Sequence, residues 1–319
     1  VSRDCLRLIL VALALAAGAA HAHASGALLA LSCDEVDARA VREVLAPAGA
    51  PRVVLVAGSL PWITMDSFAR FLATMGYPAE RLRDPHDGAV SQSGYLDSAK
   101  LAGVIAWHYE HDGMAPILIG HSRGGMVVVR TLHELAGAFQ DAVPVWDPVR
   151  DEALARTTIV DPYTRTERPV VGLTVDYAAA IATGRLPRLL LGQWAMLKRL
   201  HVIPDTVRDF TAYTIPGDLV AGTLLDREPY AAQGHARVRN VELPATTVHV
   251  DAVRVDPLAD DAATREWIDA YRPDRVAPPP AGDTTNLLEA ADVWYGVKRA
   301  WCRAAQAKAR VDVAQGDAR

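Results

Sequence analysis

The pentapeptide Gly120-His121-Ser122-Arg123-Gly124 follows the apolar run Ala115-Pro116-Ile117-Leu118-Ile119 with no spacer and leads into a helix-like stretch from Met126 to Leu135. A chain that passes from strand to helix over so few residues has few backbone solutions. The turn needs a residue held in a strained conformation, with glycines wherever a Cβ would collide. This stretch therefore predicts strand, sharp turn and helix, with Gly125 adding another small residue where helix and strand must pack closely. A unit of that kind belongs to a sheet covered by helices.

The surrounding chain has the matching rhythm. From Pro51 onward, apolar strand-like runs alternate with amphipathic stretches, the pattern of a mostly parallel sheet with helices on both faces. Arg52 to Ala57 reads as a strand ending at Gly58, Ser67 to Met75 as a helix, and Glu80 to Arg83 as a short strand. Tyr95 to His111 has helical periodicity. Beyond the turn, Thr157 to Val160 reads as part of a surface hairpin and Pro169 to Val175 as a return to the central sheet. Residues 177–208, rich in Leu, Met and Trp, read as apolar-faced helices inserted between strands, either a lid or ordinary packing helices. Phe210 to Ile215 and Val238 to Leu243 are the last strands. Helices over Ala262 to Tyr271 and Leu287 to Lys308 close the chain, separated by a Pro278-Pro279-Pro280 linker.

The 319 residues suit one α/β domain over residues 25–319, and a net charge of -5 gives no basis for a nucleic-acid partner. Arg3 and Arg7 precede an apolar run from Leu8 to Ala20, followed by Ala22-His23-Ala24-Ser25. This pattern predicts a cleaved signal peptide over residues 1–24 and a secreted or periplasmic protein. Of three cysteines, Cys5 would leave with the signal, so Cys33 and Cys302 remain as a candidate disulfide pair, the alternative being two free buried thiols.

Serine is a weak nucleophile unless a histidine accepts its proton and a carboxylate holds that histidine's tautomer. Ser122 is the candidate nucleophile. Pro216-Gly217-Asp218 follows one late strand and His249 follows the last one, so Asp218 and His249 are the candidate acid and base. Asp161 and Asp226 remain substitutes for the acid, and His235 and His201 for the base. His108, His111 and His133 lie on helix-like stretches, and His121 is read as packing beside the serine. A tetrahedral intermediate also needs two N–H donors. The backbone of Arg123 offers one and that of Ser59, in the Gly58-Ser59-Leu60 loop, the other. Asp256, Asp260 and Asp261 form an acidic cluster without the spacing of a calcium loop and are read as a solvated turn.

With Gly120 and Gly124 framing Ser122 and Val53-Val54-Leu55-Val56-Ala57-Gly58 leading into the candidate oxyanion loop, the chain resembles the α/β-hydrolase superfamily, of lipase/esterase type, over roughly Arg52 to Tyr271. It departs from many members at Ala57, where they carry histidine before the glycine. The resemblance implies hydrolysis of carboxylic esters through an acyl-serine intermediate, with no metal or organic cofactor. The expected partner is a small-molecule or lipid ester, with transient contact to a lipid surface. A thioesterase, amidase or peptidase would use the same three residues, and a non-catalytic hydrolase-like binding protein would use none of them.

Overall fold

The computed structural model describes residues 25–184, 193–223, 228–280 and 285–316. Its centre is a five-stranded parallel sheet built from β1 (Val53–Val56), β2 (Ile117–His121), β3 (Val175–Ile181), β4 (Val207–Thr214) and β5 (Arg237–Glu242), adjacent in that order. Successive side chains of these strands point to opposite faces, so the sheet separates two apolar cores. Leu55, Ile117, Ile119, Tyr177, Ala179 and Tyr213 face one core, which α1 (Asp66–Thr74), α4 (Ala262–Ala270) and α5 (Leu287–Gly316) close. Val56, Leu118, Ala178, Ala180, Phe210 and Ala212 face the other, closed by α2 (Ser98–Asp112) and α3 (Arg123–Leu135).

Local chemistry sets the helix ends. Asp97 caps α2 by accepting from the Ala99 and Lys100 N–H groups, and Gly113 ends it at φ 71°, in the left-handed region where glycine carries no Cβ penalty. The chain leaves β1, bridges back along that strand's outer edge at Gln92, then crosses to β2 on the other side. The side on which the chain adds to β1 thus reverses between Gln92 and β2, with all pairings parallel. A crevice opens at the carboxyl ends of strands at such a switch point.

Several elements differ from the sequence reading. Glu80 to Arg83 lies in no strand: Ala79–Leu82 forms a single 3-10 turn after Pro78, whose φ of -61° suits a helical start. Pro169 to Val175 is not the central strand. Glu167–Pro169 instead completes a hairpin with Thr158–Val160, and the central strand begins at Val175. That strand reads Val-Asp-Tyr-Ala-Ala-Ala-Ile, with three consecutive helix-favouring alanines. Packing overrides propensity there, because small side chains let α3 approach; a Cβ on Gly125 would lie 3.1 Å from that of Ala180. The described residues of 177–208 depart from a run of inserted helices: they open in β3 and close in β4. Between these strands lie the turn Trp194–Met196 and the short strand Val202–Ile203, and residues 185–192 fall outside the described residues. The C-terminal helix runs to Gly316 rather than stopping at Lys308.

Cys33 and Cys302 form a disulfide with their Cα atoms 5.4 Å apart, joining the start of the described chain to α5. The signal peptide expected over residues 1–24 lies outside the described residues.

Candidate active site

Ser122 occupies the single residue between β2 and α3, with φ 53° and ψ -119°. A non-glycine residue in that region stores about 1–3 kcal/mol of strain and persists only when its surroundings hold it. They do so here on every side. The Ser122 N–H donates to Ile181 O at 2.8 Å, while its carbonyl accepts from Thr183 Oγ1 at 2.9 Å and from the Gly125 N–H at 3.1 Å. Gly120 and Gly124 are required by close approach: a Cβ on Gly124 would strike the carbonyl oxygens of Val56 and Ala57, and one on Gly120 would strike the Gly124 backbone.

The turn aims the Ser122 hydroxyl at His249, whose Nε2 lies 3.0 Å from Oγ. His249 Nδ1 in turn lies 2.5 Å from Asp218 Oδ2. Asp218 is presented by the turn after β4, where Gly217 adopts φ 73°, and its Oδ1 accepts from the Val220 and Ala221 N–H groups at 2.8 and 3.1 Å. Burial pushes the Asp218 carboxyl upward, but the His249 hydrogen bond and the two backbone donors outweigh it and hold the group below its ordinary value. Asp218 is therefore ionised at neutral pH, which keeps the Nδ1 proton on His249 and leaves Nε2 free to accept from serine.

Arg123 is the first residue of α3, so its backbone N–H has no acceptor within the helix. The loop after β1 brings Gly58 against the serine: a Cβ built there would lie 3.1 Å from Ser122 Cβ and 3.6 Å from Oγ. Ser59 follows directly, half-buried at the edge of the site. Ala57, where a bracing histidine was absent from the sequence, is held another way. Its N–H donates to Gln92 O at 2.8 Å, and Gly94 packs so tightly on the Ala57 and Gly58 carbonyls that no Cβ would fit. Arg123 Nε then donates to Gly94 O at 2.7 Å.

The other candidate residues are engaged elsewhere. Asp161 bonds Tyr109 and Arg168, the exposed His235 is tied to Asp205 through its backbone N–H, His201 lies 3.6 Å from Glu228, and Asp256 is held by Ser67 and Arg70. Asp226 falls outside the described residues. His121 does more than pack beside the serine, since its Nε2 donates to the carbonyl of His249 at 2.9 Å. Burial first, then the neighbouring His249, hold its pKa down at about 4, so the ring is neutral. Thr183, Gln92 and Gly94 carried no motif in the sequence. The Ser93-Gly94 pair is the one local turn signal in the sequence that points towards the brace.

Large apolar side chains close in sequence to the site residues are exposed. Trp62 and Leu219 are 72% and 71% exposed, and Leu60, Tyr95, Val220 and Val248 are also exposed. They neighbour Ser59, Asp218 and His249 in sequence, and Tyr95 lies under the Arg123 guanidinium. Among known proteins, no family model and no curated protein matches this sequence.

Proposed function

We propose that the protein is a serine hydrolase of α/β-hydrolase type that cleaves carboxylic esters. The observation that carries the reading is the continuous line from Ser122 Oγ through His249 to Asp218, at 3.0 and 2.5 Å, on a serine with positive φ between strand and helix. The reversal in the order of addition across the sheet between Gln92 and β2, with Ser122 at the carboxyl end of β2, also supports that fold assignment.

In this reading Ser122 Oγ attacks the ester carbonyl carbon as its proton moves to His249 Nε2, and Asp218 stabilises the imidazolium. The Arg123 and Ser59 N–H groups receive the oxyanion, a contact worth about 3 kcal/mol per donor in the transition state. Collapse expels the alcohol, which takes the proton from His249. Water, deprotonated by the same nitrogen, then cleaves the acyl-serine and restores the site. No step requires a metal or organic cofactor. The exposed apolar side chains favour an acyl-bearing ester over a peptide as substrate and suit transient contact with a lipid surface. The Cys33–Cys302 disulfide supports a secreted or periplasmic setting.

Treatment with a fluorophosphonate followed by peptide mapping tests the reading, the expected adduct being on Ser122. Turnover of p-nitrophenyl esters should accompany it. A folded protein that neither labels nor turns over any ester rules the proposal out.

A further inference from the structure

Among the described residues three cationic side chains are almost wholly buried: Lys298, Arg272 and Arg123. Lys298 Nζ lies 2.8 Å from Asp269 Oδ1, and Arg272 Nε lies 3.5 Å from Glu35 Oε2. Arg123, 8% exposed, pairs with no carboxylate among the described residues. Its Nε donates to Gly94 O, its guanidinium lies 4.2 Å from the Tyr95 ring centroid, and its Nη1 has no hydrogen-bond partner. A buried cation without an opposing charge is strongly unfavourable, so an unanswered one beside a reacting centre calls for a negative group from outside the chain.

Space for such a group lies next to it. A cleft of about 170 Å³ is lined by Arg123, Arg130, Tyr95, Asp97, Ser98 and Gln193, with Leu96, Met126 and Val127 supplying apolar wall. Arg130 gives one donor to Gln193 at 2.8 Å and lies 3.6 Å from Glu134, leaving its charge partly answered. Asp97 is the only carboxylate in the lining, and its Oδ1 is committed to the start of α2. The first turns of α2 and α3 both border the cleft and add their positive ends.

We infer that this cleft is a subsite for a carboxylate at the end of a short apolar chain, carried by the ester whose carbonyl lies at Ser122. Arg123 offers its guanidinium to the carboxylate, Arg130 adds charge from about two turns further along α3, and the apolar wall holds the intervening carbons. The location relative to the reacting carbonyl rests on the ester-hydrolase reading. Recognition of the anion does not.

Binding to the Ser122→Ala protein separates the two. Monoethyl glutarate and ethyl pentanoate, matched in length, are titrated by calorimetry. The anionic ester should bind about tenfold more tightly, as a charge-assisted contact to arginine provides. That advantage should approach parity when Arg123→Met or Arg130→Gln is added, and should shrink with salt. Equal binding of the two esters, or an advantage that survives both substitutions, overturns the subsite. Arg130 lies outside the turn, so its variant keeps the test decisive if Arg123→Met does not fold. Retained anionic preference in a protein whose wild type turns over neither ester supports the subsite and removes the hydrolase reading. Turnover that ignores the carboxylate, with equal binding, does the reverse.

Discussion

The α5 side of the sheet and the Ser122 edge treat buried polar groups in opposite ways. Against α5, Lys298 meets Asp269, Arg303 meets Asp176 and Asp209, and Asp292 takes hydrogen bonds from Tyr213 and Arg239. The disulfide ties this layer to the start of the described chain. At the serine edge, among the described residues, Arg123 faces no acid and His121 Nδ1 has no partner, while the serine backbone is strained and apolar side chains are exposed. A domain whose net stability is only about 5–15 kcal/mol can hold such tension when the rest of the fold over-determines it. One side supplies rigidity, and the other relies on it to hold strained and unpartnered groups in place. Glu289 is the exception on the rigid side, with both carboxylate oxygens buried and unpartnered.

The sharpest way to break this contrast is at the triad. Ser122→Ala, His249→Ala and Asp218→Asn should each lower kcat by about 10⁴-fold. Thermal unfolding should stay close to wild type, because the edge contributes reactivity more than cohesion. A large fall in Tm with activity retained would refute the division. On the rigid side, Cys302→Ser should cost about 2–5 kcal/mol by denaturant titration under non-reducing conditions. The folded fraction should keep its kcat, and a selective loss of kcat would show that the clamp also shapes the site.

His121 sharpens the comparison through pH. Its folded pKa, about 4, lies below the 6.5 of the free side chain, so the unfolded chain takes up a proton first. Stability from this group is full above pH 6.5 and is lost as pH falls towards 4, by about 3 kcal/mol. His121→Gln, which keeps a donor for the His249 carbonyl, should lack that loss. Parallel denaturation curves for the two proteins between pH 7 and 4.5 would contradict it. The smallest effect is expected at Glu289, whose pKa burial, and then Asp292, raise well above its ordinary 4.5. The unfolded chain ionises first there, so this carboxyl weakens the fold as pH rises beyond 4.5. Glu289→Gln should gain about 1–2 kcal/mol at pH 8 and nothing at pH 4. A loss of stability at pH 8 would point to a hidden hydrogen bond.

What could be read from the residues divides along similar lines. The turn at Ser122, the strand before it and the chain order of Asp218 and His249 were visible because glycine placement and strand order are local signals. Ala178, Ala179 and Ala180 misled for the opposite reason: their place in the sheet depends on how near α3 comes, which no local window contains. The brace from Gln92 and Gly94 to Ala57 was likewise hidden, since it joins segments 35 residues apart in sequence through backbone atoms alone. The lack of an acid opposite Arg123 became visible only once the helices were in place around it.

The bond between Cys33 and Cys302 spans 269 positions of the sequence, so nearly the whole described chain is one covalent ring. A protease that cuts once within that ring opens a loop but releases no fragment. A nicked molecule would therefore travel as a single species until reductant is added, and the parts bearing Ser122, Asp218 and His249 could not diffuse away from one another. Wherever such a chain meets peptidases under oxidising conditions, surface damage would become survivable where an open chain would come apart.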